Sequence, residues 1–123
     1  MSDDLKREQA EARRDGAVPV KNSGRGLNKC DALLDNFGID YKHAEKSFTL
    51  NPTIWSKVTS DAYRNGRRMG TVKVVFEGTN FPLRLWVISD DNMHEYLELL
   101  RFVEGLDYDW RQSTNDGEQT NEQ

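Results

Sequence analysis

The length of the chain, 123 residues, and its composition limit what it can be. With 36% hydrophobic and 31% charged residues, it can build one modest core but not a second folded module. No apolar run approaches the roughly 20 residues needed to cross a bilayer, and the charged N-terminus does not resemble a secretion signal. A single cysteine excludes an internal disulfide and, with two histidines, disfavours a closed zinc site. These features predict a soluble, intracellular protein without a membrane partner.

The net charge of −4 is concentrated at the C-terminal end. Residues 106–123 contain five acidic residues against Arg111 alone, so the other residues are close to neutral. Residues 6–29 carry seven basic and three acidic residues. A local basic face for nucleic acid is therefore compatible with the acidic total.

The first half of the chain predicts a helix, a long loop and three strands. Residues 3–15 have strong helix formers, acids at the start and arginines near the end, which suits the helix dipole. Residues 16–29 are rich in Gly, Ser, Asn and Pro and predict a basic loop. Strands are expected at 30–34 and 37–42, joined by a turn at Asp35 and Asn36, and a short third strand is expected at 47–50.

The second half predicts a helix, a hairpin and a last helix. Asn51 suits an N-cap and Gly66 a helix end, while 72–76 and 83–88 form the hairpin. The last helix is expected from Ser89 to Gly105, and its expected buried stripe comprises Met93, Leu97, Leu100 and Val103. The order αβββαββα predicts an α/β (α+β) fold with a single mixed sheet flanked by helices. We expect one domain over 1–112 and a disordered acidic tail over 113–123.

Three residues of the two predicted strands carry the most chemistry. Strand alternation places Asp40 and Lys42 on one face, and Asp31 lies on the neighbouring strand. Two carboxylates on adjacent strands can hold a hard divalent cation, and a lysine beside them can orient a water molecule and offset phosphate charge. A solvated strand face with an ordinary ion pair is the alternative interpretation.

Other candidate groups have simpler explanations. Cys30 beside Asp31 suggests a thiol nucleophile, but a small strand cysteine is the more common reason for this pattern. Trp55, Tyr63 and Trp86 could stack on bases, although their spacing favours core packing.

The run KNSGRGLNKCDALLDNFGIDYKHAEKSFTL resembles the active-site region of small phage and archaeal Holliday-junction resolvases of the PD-(D/E)XK nuclease superfamily. The specific part of the likeness extends from Ser23 to Phe48. The resemblance implies a restriction-endonuclease-like fold and a magnesium-dependent endodeoxyribonuclease, with Mn²⁺ as a possible substitute. It also implies branched DNA as substrate, a homodimer, and a phage-encoded protein in the cytoplasm of a bacterial host.

The same resemblance assigns roles to individual residues. Asp31 and Asp40 would be the metal ligands, Lys42 the catalytic lysine and Glu8 the glutamate of the N-terminal helix, with Glu11 as the alternative. Cys30 stands where the family usually has proline. The expected DNA contacts are Ser23, Arg25, Lys29, Lys46 and Ser47.

Two other functions remain open from the residues alone. The first is a nuclease of the same fold that cuts linear or single-stranded DNA, which would use the same side chains. The second is a non-catalytic nucleic-acid-binding or protein-binding module, which would bind DNA regardless of magnesium.

Overall fold

The computed structural model describes residues 3–21, 29–78 and 80–106 of the chain. Its elements are α1 (Asp3–Asp15), β1 (Val18–Pro19), β2 (Ala32–Leu34), β3 (Phe37–Ala44), α2 (Pro52–Arg64), β4 (Met69–Phe76), β5 (Leu83–Val87) and α3 (Asp90–Leu106). The chain divides into one unit over Met1–Ile88 and another over Ser89–Gln123. The α+β class and the order αβββαββα are confirmed.

The first unit contains a single mixed sheet with the strand order β1-β2-β3-β4-β5. β1, β2 and β3 pair antiparallel, β3 and β4 pair parallel, and β5 returns antiparallel to β4. A parallel pair needs a long crossover connection, and α2 provides it between β3 and β4. The β2–β3 connection is the predicted turn, in which Asp35 adopts a left-handed backbone conformation with φ 51°.

The sequence of element types agrees with the prediction, but one of the three strands before α2 is not the predicted one. Residues 47–50 were expected to form the third strand, and they lie outside the sheet. Instead, Val18 and Pro19, inside the predicted loop, pair with Leu33 and Ala32. Proline has no N–H to donate, so its place is at the edge of a sheet, where β1 lies.

Alternation along the strands gives the sheet two different faces. On one face, Ile39 and Tyr41 of β3 pack with Ala12 of α1 and with Ala32. On the other, Val72 and Val74 of β4 pack with Val58 of α2. The sheet therefore lies between α1 and α2, and successive residues of β3 face different helices.

Two paired glycines let α2 lie close to the sheet. Gly38 of β3 and Gly70 of β4 are register partners, and both face α2. A Cβ atom on Gly38 would lie 2.9 Å from the Cα and Cβ atoms of Ala62, and one on Gly70 would lie 3.1 Å from the carbonyl oxygen of Val58. The distance between helix and sheet therefore depends on having no side chain at these positions.

Gly38→Ala is expected to lower the free energy of unfolding by about 1–3 kcal/mol, because the added methyl group meets helix backbone that cannot move independently. Urea denaturation measures the change. Gly105→Ala is the matched control, since nothing lies within 4 Å of a Cβ atom there. Equal stability of the two variants would contradict the close packing of α2.

The start of α2 agrees with the sequence. Asn51 Oδ1 accepts a hydrogen bond from the Ile54 amide at 2.9 Å, and Pro52 occupies the first turn. Two of the aromatic side chains expected in the core are not there, because Tyr63 is 67% exposed and Trp86 is 44% exposed.

The second unit contains α3. Ser89 Oγ accepts a hydrogen bond from the Asn92 amide at 3.1 Å, which confirms the predicted cap. The predicted buried stripe is wrong: α3 has no buried residue, and Met93 and Val103 are both exposed. Periodicity identified the helix, but it does not say what covers the apolar side. The predicted tail, 113–123, lies outside the described residues. No described helix is both long enough and apolar enough to span a membrane.

Candidate active site

Asp31 lies where β2 separates from β3. Its backbone amide donates to the Ile39 carbonyl at 2.9 Å, just beyond the last backbone pair between the strands, Ala32 with Ile39. Two residues further along β3, the Tyr41 amide donates to Asp31 Oδ2 at 2.8 Å. The Asp31 side chain therefore takes the place of the missing strand as acceptor, which holds its carboxylate at the edge of β3.

Asp40 and Lys42 project from the same face of β3, as alternation predicts. Lys42 Nζ lies 3.2 Å from Asp40 Oδ2. Both side chains are partly exposed, 39% for Lys42 and 25% for Asp40, so a ligand can reach them. The amine and this carboxylate form one accessible group.

The Asp31 carboxyl is half-buried next to a second acid. Burial raises the pKa of Asp31 to about 8, and the charge of Asp40, its side-chain hydrogen bond and the charge of Glu8 act in the same direction. The hydrogen bond from the Tyr41 amide opposes the shift but does not cancel it. Asp31 and Asp40 are therefore close enough to repel each other when both are ionised.

Of the two candidate glutamates on α1, Glu8 is the one beside this group. Burial raises the pKa of Glu8, the charge of Asp40 raises it further, and Lys42 lowers it. Glu11 instead bonds to Lys73 Nζ and Arg84 Nε, each at 2.6 Å. Glu8 is therefore near enough to Asp40 and Lys42 for their charges to act on it, whereas Glu11 belongs to a different cluster.

The expected DNA contacts lie further along the chain. Lys29 is exposed just before Asp31, and Lys46 and Ser47 are exposed after the end of β3. Ser23 and Arg25 lie outside the described residues. Both lysines are exposed, so a polyanion can reach them.

A second ion pair near the site was not predicted from the sequence. Lys57 Nζ of α2 lies 2.6 Å from Asp61 Oδ2, and Asp61 is only 4% exposed. The hydrogen bond to Asp61 raises the pKa of Lys57, and the charges of Asp40 and Asp31 add to this effect. The spacing of four residues on a helix predicts that Lys57 and Asp61 can pair. The sequence does not show that the pair lies near the candidate site, because this depends on how α2 crosses the sheet.

A shallow groove follows α2 from Lys57. Its lining combines two basic side chains and one acidic side chain with hydroxyl groups and a proline: Lys57, Arg64, Asp61, Thr53, Ser56, Ser60 and Pro52. Hydroxyl groups and basic side chains are common phosphate contacts in protein–DNA complexes. The groove therefore offers polar donors next to the acidic group.

Cys30 is excluded as a nucleophile. Its side chain is 3% exposed, and burial raises the pKa of its thiol to about 11. A thiol in that state remains protonated at neutral pH, whereas the thiolate is the reactive form. Cys30 is a packing residue beneath Gly38.

The acidic residues suit a cation that shares its coordination with solvent and substrate. Among residues 3–21, 29–78 and 80–106, no three His, Cys, Asp or Glu side chains gather as a metal-binding group. Mg²⁺ in phosphoryl-transfer sites usually uses one or two carboxylates and completes its shell with water and phosphate oxygens. The pair Asp31 and Asp40 provides those two carboxylates, and the repulsion between them would be relieved by a divalent cation.

Comparison with protein-family models, with curated proteins and with solved structures returns no match for this chain.

Proposed function

We propose that this chain is a magnesium-dependent endodeoxyribonuclease of the PD-(D/E)XK type and that it acts as a Holliday-junction resolvase. The observation that carries the proposal is the meeting of Asp31, Asp40 and Lys42 at the point where β2 leaves β3. A fully solvated strand face would not hold one of its carboxyls half-buried against another acid. The single mixed sheet with helices packed on it is also consistent with the sheet flanked by helices that the resemblance implies.

The residues divide the chemical work among them. Asp31 and Asp40 would hold Mg²⁺, with Mn²⁺ as a possible substitute. A divalent cation in such a site polarises a phosphodiester and lowers the pKa of a bound water. The Lys42 ammonium, 3.2 Å from Asp40, can orient the attacking water and offset charge on the phosphate. Glu8 adds a third acidic group on the helix side.

The surroundings suit DNA better than a small anionic substrate. The α2 groove and the exposed Lys29 and Lys46 extend the polar surface beyond the acidic group. Contacts of this kind position a nucleic-acid backbone without reading its sequence. Ser23, Arg25 and Ser47 would add to them in the proposed complex.

A homodimer is part of the proposal, because two sites related by a twofold axis match the symmetry of a four-way junction. α3 supports it: Tyr96, Leu99, Phe102 and Leu106 are each more than half exposed. Apolar residues exposed together are typical of an interaction surface. A second copy of the chain is the partner that a resolvase requires. Such a protein, phage-encoded, would work in the bacterial cytoplasm.

The test compares four-way junction DNA with linear duplex and single strands of the same sequence, each in Mg²⁺, Mn²⁺ or EDTA. We expect the wild-type chain to cut the junction in Mg²⁺, to be inactive in EDTA, and to lose activity in the Asp40→Asn variant. Light scattering on the same preparation should give about twice 14.2 kDa.

Each other outcome points to a different function. Equal cutting of junction and linear duplex would replace the resolvase with a general nuclease of this fold. DNA binding without cleavage in any divalent metal would reject the enzyme and favour the non-catalytic module.

A further inference from the structure

The two edges of the sheet differ in how well they are protected against further pairing. In the part of the chain that the structure describes, β1 and β5 each have a neighbouring strand on one side only. β1 consists of Val18 and Pro19, and proline has no N–H to offer to a further strand. β5 has five residues, Leu83–Val87, and no proline, so its outward N–H groups can all donate. β5 is therefore the open edge of the sheet.

The side chains of β5 are apolar and exposed. The exposed fractions are 50% for Leu83, 46% for Leu85 and 44% for Trp86. Leu85 stands opposite Val74 of β4, so it extends the apolar face of the sheet that packs against α2. An apolar strand at an open edge is a template on which another strand can pair.

The residues of β5 are complementary to themselves when two copies pair antiparallel around Leu85. In that register Leu85 faces Leu85 of the partner subunit, and Leu83 faces Val87 of the partner subunit. Arg84 faces Trp86 of the partner subunit, where its guanidinium can lie on the indole ring. Aliphatic pairs thus lie on one face and cation–aromatic pairs on the other, and both kinds stabilise a sheet.

Neighbouring registers lack this complementarity. A pair centred on Arg84 sets two arginines opposite each other, and like charges in that position are destabilising. A pair centred on Trp86 leaves Arg84 opposite the aliphatic Ile88. A pair centred between Arg84 and Leu85 sets these unlike residues opposite each other and joins opposite faces of the two sheets. The pattern of β5 therefore favours a twofold axis at Leu85.

We infer that a second copy of this chain pairs with β5 across a twofold axis at Leu85, which joins the two five-stranded sheets into one. The inference rests on the proposed function for the homodimer, and it adds the surface through which the two copies meet. A contact of this kind closes after two copies, because the same edge is used on both sides.

This pairing gives the two candidate sites a common orientation. Asp40 is in register with Val72 of β4, which is in register with Val87 of β5. Asp40 therefore lies on the same face of the sheet as Leu85, two residues before Val87. Because Leu85 faces its own copy, both sites open on the same side of the joined sheet. Five strand spacings, about 24 Å, separate the two copies of β3, so both sites can reach one branched substrate.

Leu85→Lys and Leu85→Glu test the interface by sedimentation over a range of protein concentrations, without DNA or metal. A five-residue strand is a small interface, so we expect the wild-type chain to dimerise with a dissociation constant on the order of micromolar. Each variant places like charges on the axis and should raise this constant about 100-fold. An equimolar mixture of the two variants should recover dimers, because residue 85 then faces the opposite charge.

Tyr63→Lys is the matched control, because Tyr63 is an exposed apolar side chain on α2, away from β5. It should dimerise like the wild type. Leu99→Lys tests the exposed apolar side of α3: monomers in this variant and dimers in both Leu85 variants would place the contact on α3 alone and overturn the inference. A mixture of Leu85→Lys and Leu85→Glu that stays monomeric would also overturn it.

Leu85→Cys replaces the charged variants if they do not fold. Residues directly opposite in an antiparallel pair have Cα atoms about 4.5–5.5 Å apart, within the range that a disulfide spans. Mild oxidation should crosslink two copies of Leu85→Cys and should not crosslink Tyr63→Cys. The native Cys30 is buried and does not compete. Failure of Leu85→Cys to crosslink would overturn the inference.

The outcomes for the interface and for the enzyme can be told apart. A wild-type chain that stays monomeric would overturn the inference and leave the edge of β5 to a strand of a different protein, whether or not the chain cuts DNA. Dimers through β5 that cut no junction in any divalent metal would reject the proposed nuclease and leave the interface standing.

Discussion

Lys42→Ala is expected to slow junction cleavage by about 100- to 1,000-fold at saturating DNA and Mg²⁺, the scale of losing one group that stabilises transition-state charge. The effect should fall on the rate constant and not on binding, because Lys42 Nζ faces Asp40 at 3.2 Å within the acidic group. Single-turnover cleavage of a labelled four-way junction measures it. The fold should persist, since the ion pair is partly exposed and such pairs contribute little to stability.

Lys46→Ala is the matched control for this experiment. Lys46 follows Lys42 by four residues, lies just after the end of β3 and is exposed, so its removal deletes the same charge outside the acidic group. We expect weaker DNA binding that depends less on salt, and an unchanged rate at saturation. Equal rate losses in the two lysine variants would show that Lys42 acts only through general charge attraction.

Asp31→Asn is expected to stabilise the metal-free protein while removing its response to Mg²⁺. In the wild-type chain the Tyr41 amide donates to the Asp31 carboxylate at 2.8 Å, and the side-chain oxygen of the introduced asparagine can accept the same hydrogen bond. The negative charge that repels Asp40 is gone in the variant. We expect the free energy of unfolding in EDTA at pH 8 to rise by about 1–3 kcal/mol. A residue that improves function at the expense of stability is a common feature of active sites.

The pH dependence follows from the direction of the shift. Burial beside Asp40 raises the pKa of Asp31 from 3.8 to about 8, so the folded chain holds a proton that the unfolded chain has released. In EDTA this group should therefore lower the stability of the wild-type protein as pH rises between these two values. The Asp31→Asn variant should lack this component of the decline.

Magnesium should reduce the difference in stability between the two proteins. Mg²⁺ at ten times its dissociation constant would add about 1.4 kcal/mol to the stability of the wild type and none to Asp31→Asn. Thermal melts with and without Mg²⁺ measure both effects. Asp35→Asn is the control, because it removes an exposed acid in the adjoining turn and should change neither quantity. A metal-induced shift that persists in Asp31→Asn would remove Asp31 from the proposed cation site.

The local elements were predictable because their causes lie within a few residues. Asn51 and Pro52 define the start of α2, and alternation places Asp40 and Lys42 on the same face of β3. The turn at Asp35 requires a residue that tolerates a left-handed backbone, which aspartate does. These features depend on short-range bonds and steric preferences that the sequence states directly.

Features that depend on distant partners were not predictable. β1 forms because Val18 and Pro19 meet β2 across the segment that connects them, and two residues carry no pattern of their own. The choice between Glu8 and Glu11 was open for the same reason. Both lie on one helix, and Lys73 and Arg84, which follow Glu11 by 62 and 73 residues, bind Glu11 in the other cluster.

The sequence by itself determined the three helices, the strands β2 to β5 and the identity of the candidate acids and lysine. Propensity, capping and alternation act over a few residues, so these features can be read along the chain. The tertiary structure decided which carboxyls meet, because closing long loops brings together side chains whose separation in sequence carries no information about distance. The proposed chemistry depends on the position of Asp31 beside Asp40. The two carboxyls meet only in the folded chain, where β2 and β3 separate at Asp31 and α1 lies against the sheet.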